Sequence, residues 1–180
     1  MPHASDDDAD FRQSAVACLD RLYSFARSLT RSRPAAEDLV QETYVRALRA
    51  AHRPSDPAGV RPWLFTILRN VWRNERRRRQ PDAFASDPDL LPSLRAPFEE
   101  TLDQDAMAER IRTSIDRLPD AYREVVLLRF SQGLSYREIA EIVDCPAGTV
   151  MSRLARARAL IQDAVRPRSE RKRAGGGLLR

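Results

Sequence analysis

An arginine-rich segment is the part of the chain best suited to binding a polyanion. Residues 69–79 contain six arginines, two asparagines (Asn70 and Asn74) and one tryptophan, with a single acidic residue. Guanidinium groups bind phosphates, amides bind base edges, and the indole of Trp72 or Trp63 can stack on an unpaired base. The pattern indicates single-stranded or distorted nucleic acid. The alternative is a solvated basic helix with both tryptophans in the core, an interpretation that we favour for Trp63.

A second candidate is a helix-turn-helix in the C-terminal half. Residues 135–138 read Ser-Tyr-Arg-Glu, a capping box that predicts a short helix from Tyr136 to Val143. The helix is interrupted at residues 144–146, and Pro146 can open the next helix. Two helices joined by so short a turn cross steeply, as in DNA-binding helix-turn-helix units, although an ordinary helical hairpin remains the alternative.

The second helix of this unit has an apolar and a polar side. Val150, Leu154, Ala157 and Ile161 recur at i, i+4, i+7 and i+11 and predict the buried stripe. Hydroxyl and guanidinium side chains occupy the other side near the helix N-terminus, where they suit base edges and phosphates in a major groove. Those residues are Thr149, Ser152 and Arg156, with Met151 and Arg153 on the flanks.

The third candidate surface is acidic. Glu37, Asp38, Gln41 and Glu42 lie in the first two turns of a predicted helix that has Pro34 at its start. Capping and the helix dipole account for the first two residues only. An acidic face on a protein that otherwise meets nucleic acid therefore indicates a basic protein partner.

Composition excludes several other functions. The chain has two cysteines, Cys18 and Cys145, far apart in sequence, and two histidines near neither, so we expect no metal site, cofactor or disulfide. No phosphate loop, nucleophile elbow or catalytic cluster is present, which argues against an enzyme. No apolar run approaches the length of a membrane span, and the start of the chain is acidic, unlike a signal peptide, so we expect a cytoplasmic protein without membrane insertion.

Charge divides the 180 residues into two basic parts and an acidic middle. Residues 1–80 carry 15 basic and 10 acidic side chains, residues 81–105 carry 1 and 7, and residues 106–180 carry 15 and 9. Thirty of the 31 basic residues are Arg, which a G+C-rich genome explains as well as phosphate binding does. Two basic ends indicate two surfaces that face a polyanion.

Apolar spacing is helical over most of the chain and predicts an all-α fold of two small helical domains. The expected helices run from about Phe11 to Thr30, from Pro34 to Ala51 and from Trp63 to Arg79, with a loop at residues 53–62. The second half begins with a helix near residues 99–117, followed by one from Pro119 to about Gly133. Four prolines interrupt residues 81–98, which we interpret as a flexible acidic linker. We expect residues 1–10 and the basic tail 166–180 to be disordered.

In order and spacing these blocks resemble the extracytoplasmic-function (ECF) group of sigma-70-type RNA polymerase sigma factors. The resemblance covers residues 22–161 and includes Ala-Glu-Asp-Leu-Val-Gln-Glu-Thr at 36–43 and Arg-Pro-Trp-Leu-Phe at 61–65. It is closest at residues 133–140 and 144–150. It implies that residues 11–80 are sigma region 2 and residues 99–165 are sigma region 4.

The resemblance also implies site residues. Core polymerase would bind at Asp38, Gln41 and Glu42, on the clamp helices of its β′ subunit, and the β subunit is a further expected contact. The −10 element, including a flipped base, would be bound by Trp63, Asn70, Arg73, Asn74, Arg76 and Arg77 with the loop before them. The −35 element would be contacted by Arg137, Thr149, Ser152, Arg153 and Arg156. An anti-sigma factor is a further expected partner.

Some positions depart from the family pattern. Met151 stands where similar proteins often have Arg, and Ala155 is small where a larger apolar residue is common. The run 76–79 and the loop 52–61, which set promoter choice, are not closely matched. The promoter preference of the family is therefore not carried over to this chain.

The sequence thus predicts a sigma factor that binds core RNA polymerase, directs promoter-specific initiation at the −10 and −35 elements and aids melting. The alternative is a helix-turn-helix regulator of duplex DNA with an N-terminal sensor or dimerisation domain. A recombinase with an attached DNA-binding domain ranks third. A regulator needs neither the Asn70/Asn74 helix nor the acidic Asp38 face.

Overall fold

The computed structural model describes residues 4–79 and 104–166. These residues contain helices and no strand, which confirms the all-α prediction. The predicted linker, residues 81–98, lies outside the described residues, as does the predicted tail beyond Arg166. The helices are α1 Ala4–Ala17, α2 Leu19–Thr30, α3 Arg33–Arg49, α4 Pro57–Arg79, α5 Gln104–Asp116, α6 Asp120–Val126, α7 Tyr136–Val143 and α8 Ala147–Val165.

The N-terminus differs from the prediction, because α1 begins at Ala4 and residues 4–10 are helical rather than disordered. Asp8 forms ion pairs with Arg12 at 2.8 Å and with Arg53 at 2.7 Å. Phe11 packs edge-on against Trp63 with ring centroids 5.9 Å apart. The contacts with Arg53 and Trp63 anchor α1 to α4 and to the segment before it, and they join residues too far apart in sequence for local patterns to indicate.

The predicted helix from Phe11 to Thr30 is two helices with a break at Cys18. Arg31 ends α2 in the left-handed conformation (φ 58°). The Ser32 side chain then caps α3 by accepting from the Ala35 backbone N–H, and Pro34 lies in the first turn of α3, as predicted. This tight junction makes α2 and α3 neighbours.

Helix α4 starts at Pro57, so the predictions of a loop to Pro62 and of a helix start at Trp63 were wrong. Proline at the first helical position loses no hydrogen bond, and the Asp56 carboxylate accepts from the Ala58 N–H at 2.9 Å. Pro62 lies inside the helix and removes only one backbone donor near its start. The longer helix spans both the predicted loop and the arginine-rich segment.

In the C-terminal half, α5 is described from Gln104 to Asp116, and the first residues of the predicted helix at 99–117 lie outside the described part. Helix α6 continues into a π-helical segment, Leu127–Ser131. The chain then turns at Gly133, whose φ of 69° is favourable for glycine. Together α6 and the π-helical segment match the predicted helix from Pro119 to about Gly133.

The two halves, α1–α4 and α5–α8, pack against each other. Helix α4 lies on α7, and α2 lies against the π-helical segment. Buried apolar side chains form one cluster that extends from Phe11 in α1 to Ala157 in α8. The described residues therefore form a closed arrangement, and the arginine-rich helix α4 lies where the halves meet.

Candidate nucleic-acid and protein interfaces

The helix-turn-helix contains the capping-box hydrogen bonds that the sequence predicted. The Ser135 hydroxyl accepts from the Glu138 N–H at 3.2 Å, and the Glu138 carboxylate accepts from the Ser135 N–H at 2.7 Å. Hydrogen bonds to its carboxylate from the side chain and then from the backbone N–H of Ser135 lower the pKa of Glu138. Asp144 ends α7 in the left-handed conformation (φ 50°), and Pro146 caps α8. The turn fixes the direction in which α8 leaves α7.

The outward face of α8 carries the side chains predicted to read DNA. Ser152 and Arg156 are exposed, while Thr149 and Arg153 are half-buried. At 100° per residue, Thr149, Ser152 and Arg156 fall within about 60° of one another. The Arg153 guanidinium approaches the Cys145 sulfur at 3.9 Å, which draws it toward the turn. Three of the predicted contacts thus share a face, and Arg153 lies at its edge.

Arg137 lies apart from this face, on α7. Its side chain is exposed and approaches Glu141 at 3.6 Å, one turn along the same helix. It is placed by α7 rather than by α8.

Helix α4 divides the predicted −10 residues between two adjacent faces. Asn70, Asn74 and Arg77 are exposed. Arg73 is half-buried and Arg76 forms an ion pair with Asp120 of α6 at 2.5 Å, so these two face the C-terminal half.

The two tryptophans have different surroundings. Trp63 is half-buried against Phe11. Trp72 is only 5% exposed, and the Arg76 guanidinium lies 5.6 Å from its ring centroid. In this arrangement Trp72 is part of the core and is closed to a base.

A groove between α3 and α4 has a volume of about 450 Å³. It brings together all three predicted polymerase contacts and one predicted −10 residue, Asn74. Sequence reasoning missed the other lining residues, although their spacing of three or four positions along each helix is a usable signal. The groove is lined by Asp38, Gln41, Glu42, Val45, Arg46, Val71, Asn74, Glu75 and Arg78.

Buried arginine contacts join the two halves. Arg69 of α4 is 4% exposed and donates from Nε to Glu124 of α6 at 2.9 Å, a carboxylate that is itself 4% exposed. Its Nη1 also donates to the Ile142 carbonyl at 3.2 Å. In the opposite direction, Arg123 donates to the Leu29 carbonyl at the end of α2 at 3.1 Å. Sequence reasoning missed this interface, because its partners lie more than 50 positions apart.

At the same interface, burial lowers the pKa of two arginines. Arg21 and Arg61 both donate to the Gln132 carbonyl, and burial followed by the Arg21 charge lowers the pKa of Arg61. Burial also lowers the pKa of Arg123. The Nε atoms of Arg61 and Arg123 are buried with no hydrogen-bond partner among the described residues. The interface is therefore polar and incompletely satisfied.

Within the described ranges no group of His, Cys, Asp and Glu residues is arranged to hold a metal ion. Both cysteines are free thiols, Cys18 buried and Cys145 half-buried. None of the helices described above is long and apolar enough to cross a bilayer.

Comparison with known proteins gives matches in both halves. Residues 16–81 match the family described as sigma-70 region 2, and residues 108–161 match sigma-70 region 4. The ECF RNA polymerase sigma factor EcfG of Rhodopseudomonas palustris is 35% identical over 147 residues, which cover 82% of this chain and 80% of that protein. The RNA polymerase sigma-H factor of Pseudomonas aeruginosa is 33% identical over 143 residues, covering 73% of this chain and 74% of that protein.

A solved structure also resembles the fold. The sigma factor RpoE of Bartonella quintana, in a co-crystal structure with the anti-sigma factor NepR, superposes with a TM-score of 0.62 at 31% identity. The match covers 87% of this chain and 96% of that chain.

Proposed function

The chain belongs to the ECF group of the sigma-70 family, and on that premise we propose that it binds core RNA polymerase and directs promoter-specific initiation. It recognises the −10 and −35 elements and aids melting of the duplex. The polymerase performs the chemistry, in the cytoplasm, and this chain contributes binding surfaces without an active site. The proposed division is region 2 over residues 11–80, a linker at 81–98 and region 4 over 99–165.

The observation that carries the proposal is that one chain holds two different surfaces in its two halves. The groove between α3 and α4 presents Asp38, Gln41 and Glu42 to a partner. The recognition helix α8 presents Ser152 and Arg156 to solvent. A regulator that only bound duplex DNA would need the second surface and not the first.

Three carboxylates against two guanidinium groups leave the groove net acidic, which suits a basic protein partner, and we assign this partner to the β′ clamp helices. Asn74 of α4 lines the groove, and Asn70 lies one turn before Asn74 on the same face of α4, beside the arginines of that helix. Amides near phosphate-binding guanidinium groups are suited to hold an unpaired base of the melted −10 element. Anti-sigma control of this chain is proposed by similarity to the Bartonella quintana complex.

The decisive experiment is reconstitution. Core polymerase, with and without the full chain, transcribes a supercoiled genomic library, and the starts that depend on the chain are sequenced. Protein-dependent initiation at a shared promoter sequence is the expected result. No protein-dependent initiation together with no binding to core would refute the proposal, and duplex binding alone would favour the regulator.

A charge reversal in the groove tests the polymerase surface. We expect Asp38→Arg to weaken core binding about tenfold or more, because it places like charge against a basic partner. Glu37→Arg is the matched control: it makes the same change on the adjacent residue, which is exposed and paired with Arg33 at 2.8 Å but does not line the groove. Equal losses in both variants would show that the groove is not the docking site.

A further inference from the structure

The loop between α3 and α4, residues 50–56, is held near its middle by the side chain of Arg53. Arg53 donates from Nη1 to the Asp8 carboxylate of α1 at 2.7 Å, and its Nη2 donates to the Leu48 carbonyl at the end of α3. The Arg53 guanidinium also lies 4.9 Å from the centroid of the Phe11 ring, which is a cation–π distance. One side chain therefore joins the loop to both α1 and α3.

Helix α1 also supports a residue of α4 with the same face. Asp8 and Phe11 are three positions apart in α1 and so lie on one side of it. Phe11 is 5% exposed and packs edge-on against Trp63, with ring centroids 5.9 Å apart. Because Trp63 is one of the residues proposed to bind the −10 element, one turn of α1 holds both that residue and the loop before it.

The first turn of α4 gives the loop a second anchor. A Cβ atom added at Gly59 would lie 3.3 Å from the Cβ of Pro54, so the loop passes close against the helix. The Asp56 carboxylate accepts from the Ala58 N–H at 2.9 Å at the junction. The loop is therefore fixed to α1, to α3 and to α4.

These anchors decide which loop side chains face outward. Arg53 and Pro54 are half-buried, whereas His52 and Ser55, on either side of them, are exposed. An imidazole can stack on an unpaired base and bond its edge, and a hydroxyl can bond either kind of base edge. The loop thus presents groups suited to a single strand from a backbone that is held in place.

We propose that Asp8 and Phe11 are positioning residues for −10 recognition, which act through Arg53 to hold the loop 50–56 in the conformation that discriminates among unpaired bases. This inference rests on the proposed function and deepens it, because it gives two residues of α1 a part in promoter choice. Neither residue belongs to the predicted −10 site.

A fixed loop is needed because a single strand presents its bases in many orientations. A flexible binding surface rearranges around different ligands and so discriminates less well among them. Ordering a mobile loop also costs conformational entropy when the ligand binds. The contacts of Arg53 order the loop in advance, and weakening them should therefore lower both base preference and affinity for the −10 element.

The loop anchor is separate from the groove proposed to bind polymerase. The predicted polymerase contacts at residues 38–42 line that groove, whereas the loop follows the end of α3 at Arg49. None of Asp8, Phe11 and Arg53 lines the groove. A change at the anchor should therefore leave core binding intact.

Asp8→Asn in the full chain tests the anchor, because it keeps the size of the side chain and removes the charge that pairs with Arg53. Holoenzymes would initiate from the promoter found by reconstitution and from versions with each single-base change in the −10 element. The ratio of the two initiation rates measures base preference. Asp8→Asn should lower this ratio about threefold or more at one position at least, with core binding within about twofold and −35 preference unchanged. Asp8→Glu, which keeps the charge, should retain most of the wild-type preference.

Arg12→Gln is the matched control. Arg12 pairs with the other oxygen of the Asp8 carboxylate at 2.8 Å, within α1 itself, so its loss weakens the helix without releasing Arg53. Equal losses of preference in Arg12→Gln and Asp8→Asn would overturn the inference, as would full preference in Asp8→Asn. If the wild-type chain neither bound core nor initiated, the proposed function would fail, a result distinct from either of these.

Nuclear magnetic relaxation of the free chain measures the order of the loop without polymerase. In the wild-type chain the backbone order parameters of residues 51–56 should lie near the rigid value of about 0.85. In Asp8→Asn they should fall toward the flexible value of about 0.6, while those of α2 stay unchanged. Loop order parameters that did not change in Asp8→Asn would overturn the positioning role, whatever the promoter preference of the variant.

Discussion

Replacing Arg156 with alanine removes one side chain from the outward face of α8 without disturbing a buried contact. Arg156 is exposed, and Ala157, Leu154 and Val150 hold the helix on its other side. Alanine is the best helix former, so the substitution should leave α8 folded. Any loss of promoter recognition is therefore a loss of contact rather than of structure.

The size of the loss follows from the kind of contact. A good contact to a base is worth about 1–3 kcal/mol of discrimination, or roughly a 5- to 150-fold loss of affinity for the −35 element. A phosphate contact would instead weaken all sequences about equally and reduce the slope of log affinity against log salt by about 1. Arg156 lies at the middle of α8 but within about 60° of Thr149 and Ser152, which lie in its first two turns, so we expect the base contact.

The assay is competition binding by the holoenzyme on the promoter found by reconstitution, against the same promoter with a scrambled −35 element, at several salt concentrations. Arg158→Ala is the matched control, because Arg158 is exposed on the same helix and lies about 160° around it from Arg156. Equal losses in the two variants would show that α8 contributes only general positive charge. An unchanged preference in Arg156→Ala would refute the assignment of this face.

Three further predictions concern stability. Ser135→Ala removes the capping box and should lower the free energy of unfolding by about 1 kcal/mol, which is about 2–4 °C in Tm for a chain of this size; Ser55→Ala, exposed and outside any helix, is its control in thermal melts. Because the pKa of Glu138 is lowered in the folded chain, its contribution to stability is present above its ordinary pKa of 4.5 and is lost as pH falls through the lower folded value. In Glu138→Gln, the free energy of unfolding in urea should therefore fall less steeply as pH is lowered through this range. Tyr44 donates to the Ala15 carbonyl at 2.6 Å, and burial raises the pKa of Tyr44 to about 12. The stabilisation by Tyr44 should therefore persist to about pH 10 and decline as pH rises through 12. In unfolding curves, Tyr44→Phe should abolish that alkaline loss and lower the free energy of unfolding at neutral pH by about 1 kcal/mol.

The features predicted correctly from the sequence are those specified by neighbouring residues. The capping box at Ser135 and the proline at 146 each act within a few positions, so the bounds of α7 and the start of α8 followed from them. The all-α fold followed in the same way from helical spacing of apolar residues. Sequence patterns that span only a few positions predict the bounds of helices but not the contacts between helices.

The errors arose where distant contacts outweigh local preference. Residues 1–10 were predicted to be disordered, but Asp8 pairs with Arg53, and Phe11 packs on Trp63. Pro62 predicted a loop, yet α4 extends through it because the hydrogen bond that it removes lies near the helix start. The packing of the two halves was equally beyond sequence patterns, since Arg69 and Glu124 are 55 positions apart.

Helix α4 shows why composition alone does not assign a role to each arginine. Arg69, Arg73 and Arg76 recur at i, i+4 and i+7 and face the C-terminal half, while Asn70, Asn74 and Arg77 occupy the next face and are exposed. Arg69 and Arg76 pair with Glu124 and Asp120 of the C-terminal half, and Arg76 is also proposed to bind −10 DNA. Because the Arg76 guanidinium cannot bind Asp120 and the proposed −10 DNA at the same time, any free energy of the Arg76–Asp120 ion pair must be subtracted from the apparent affinity for that element.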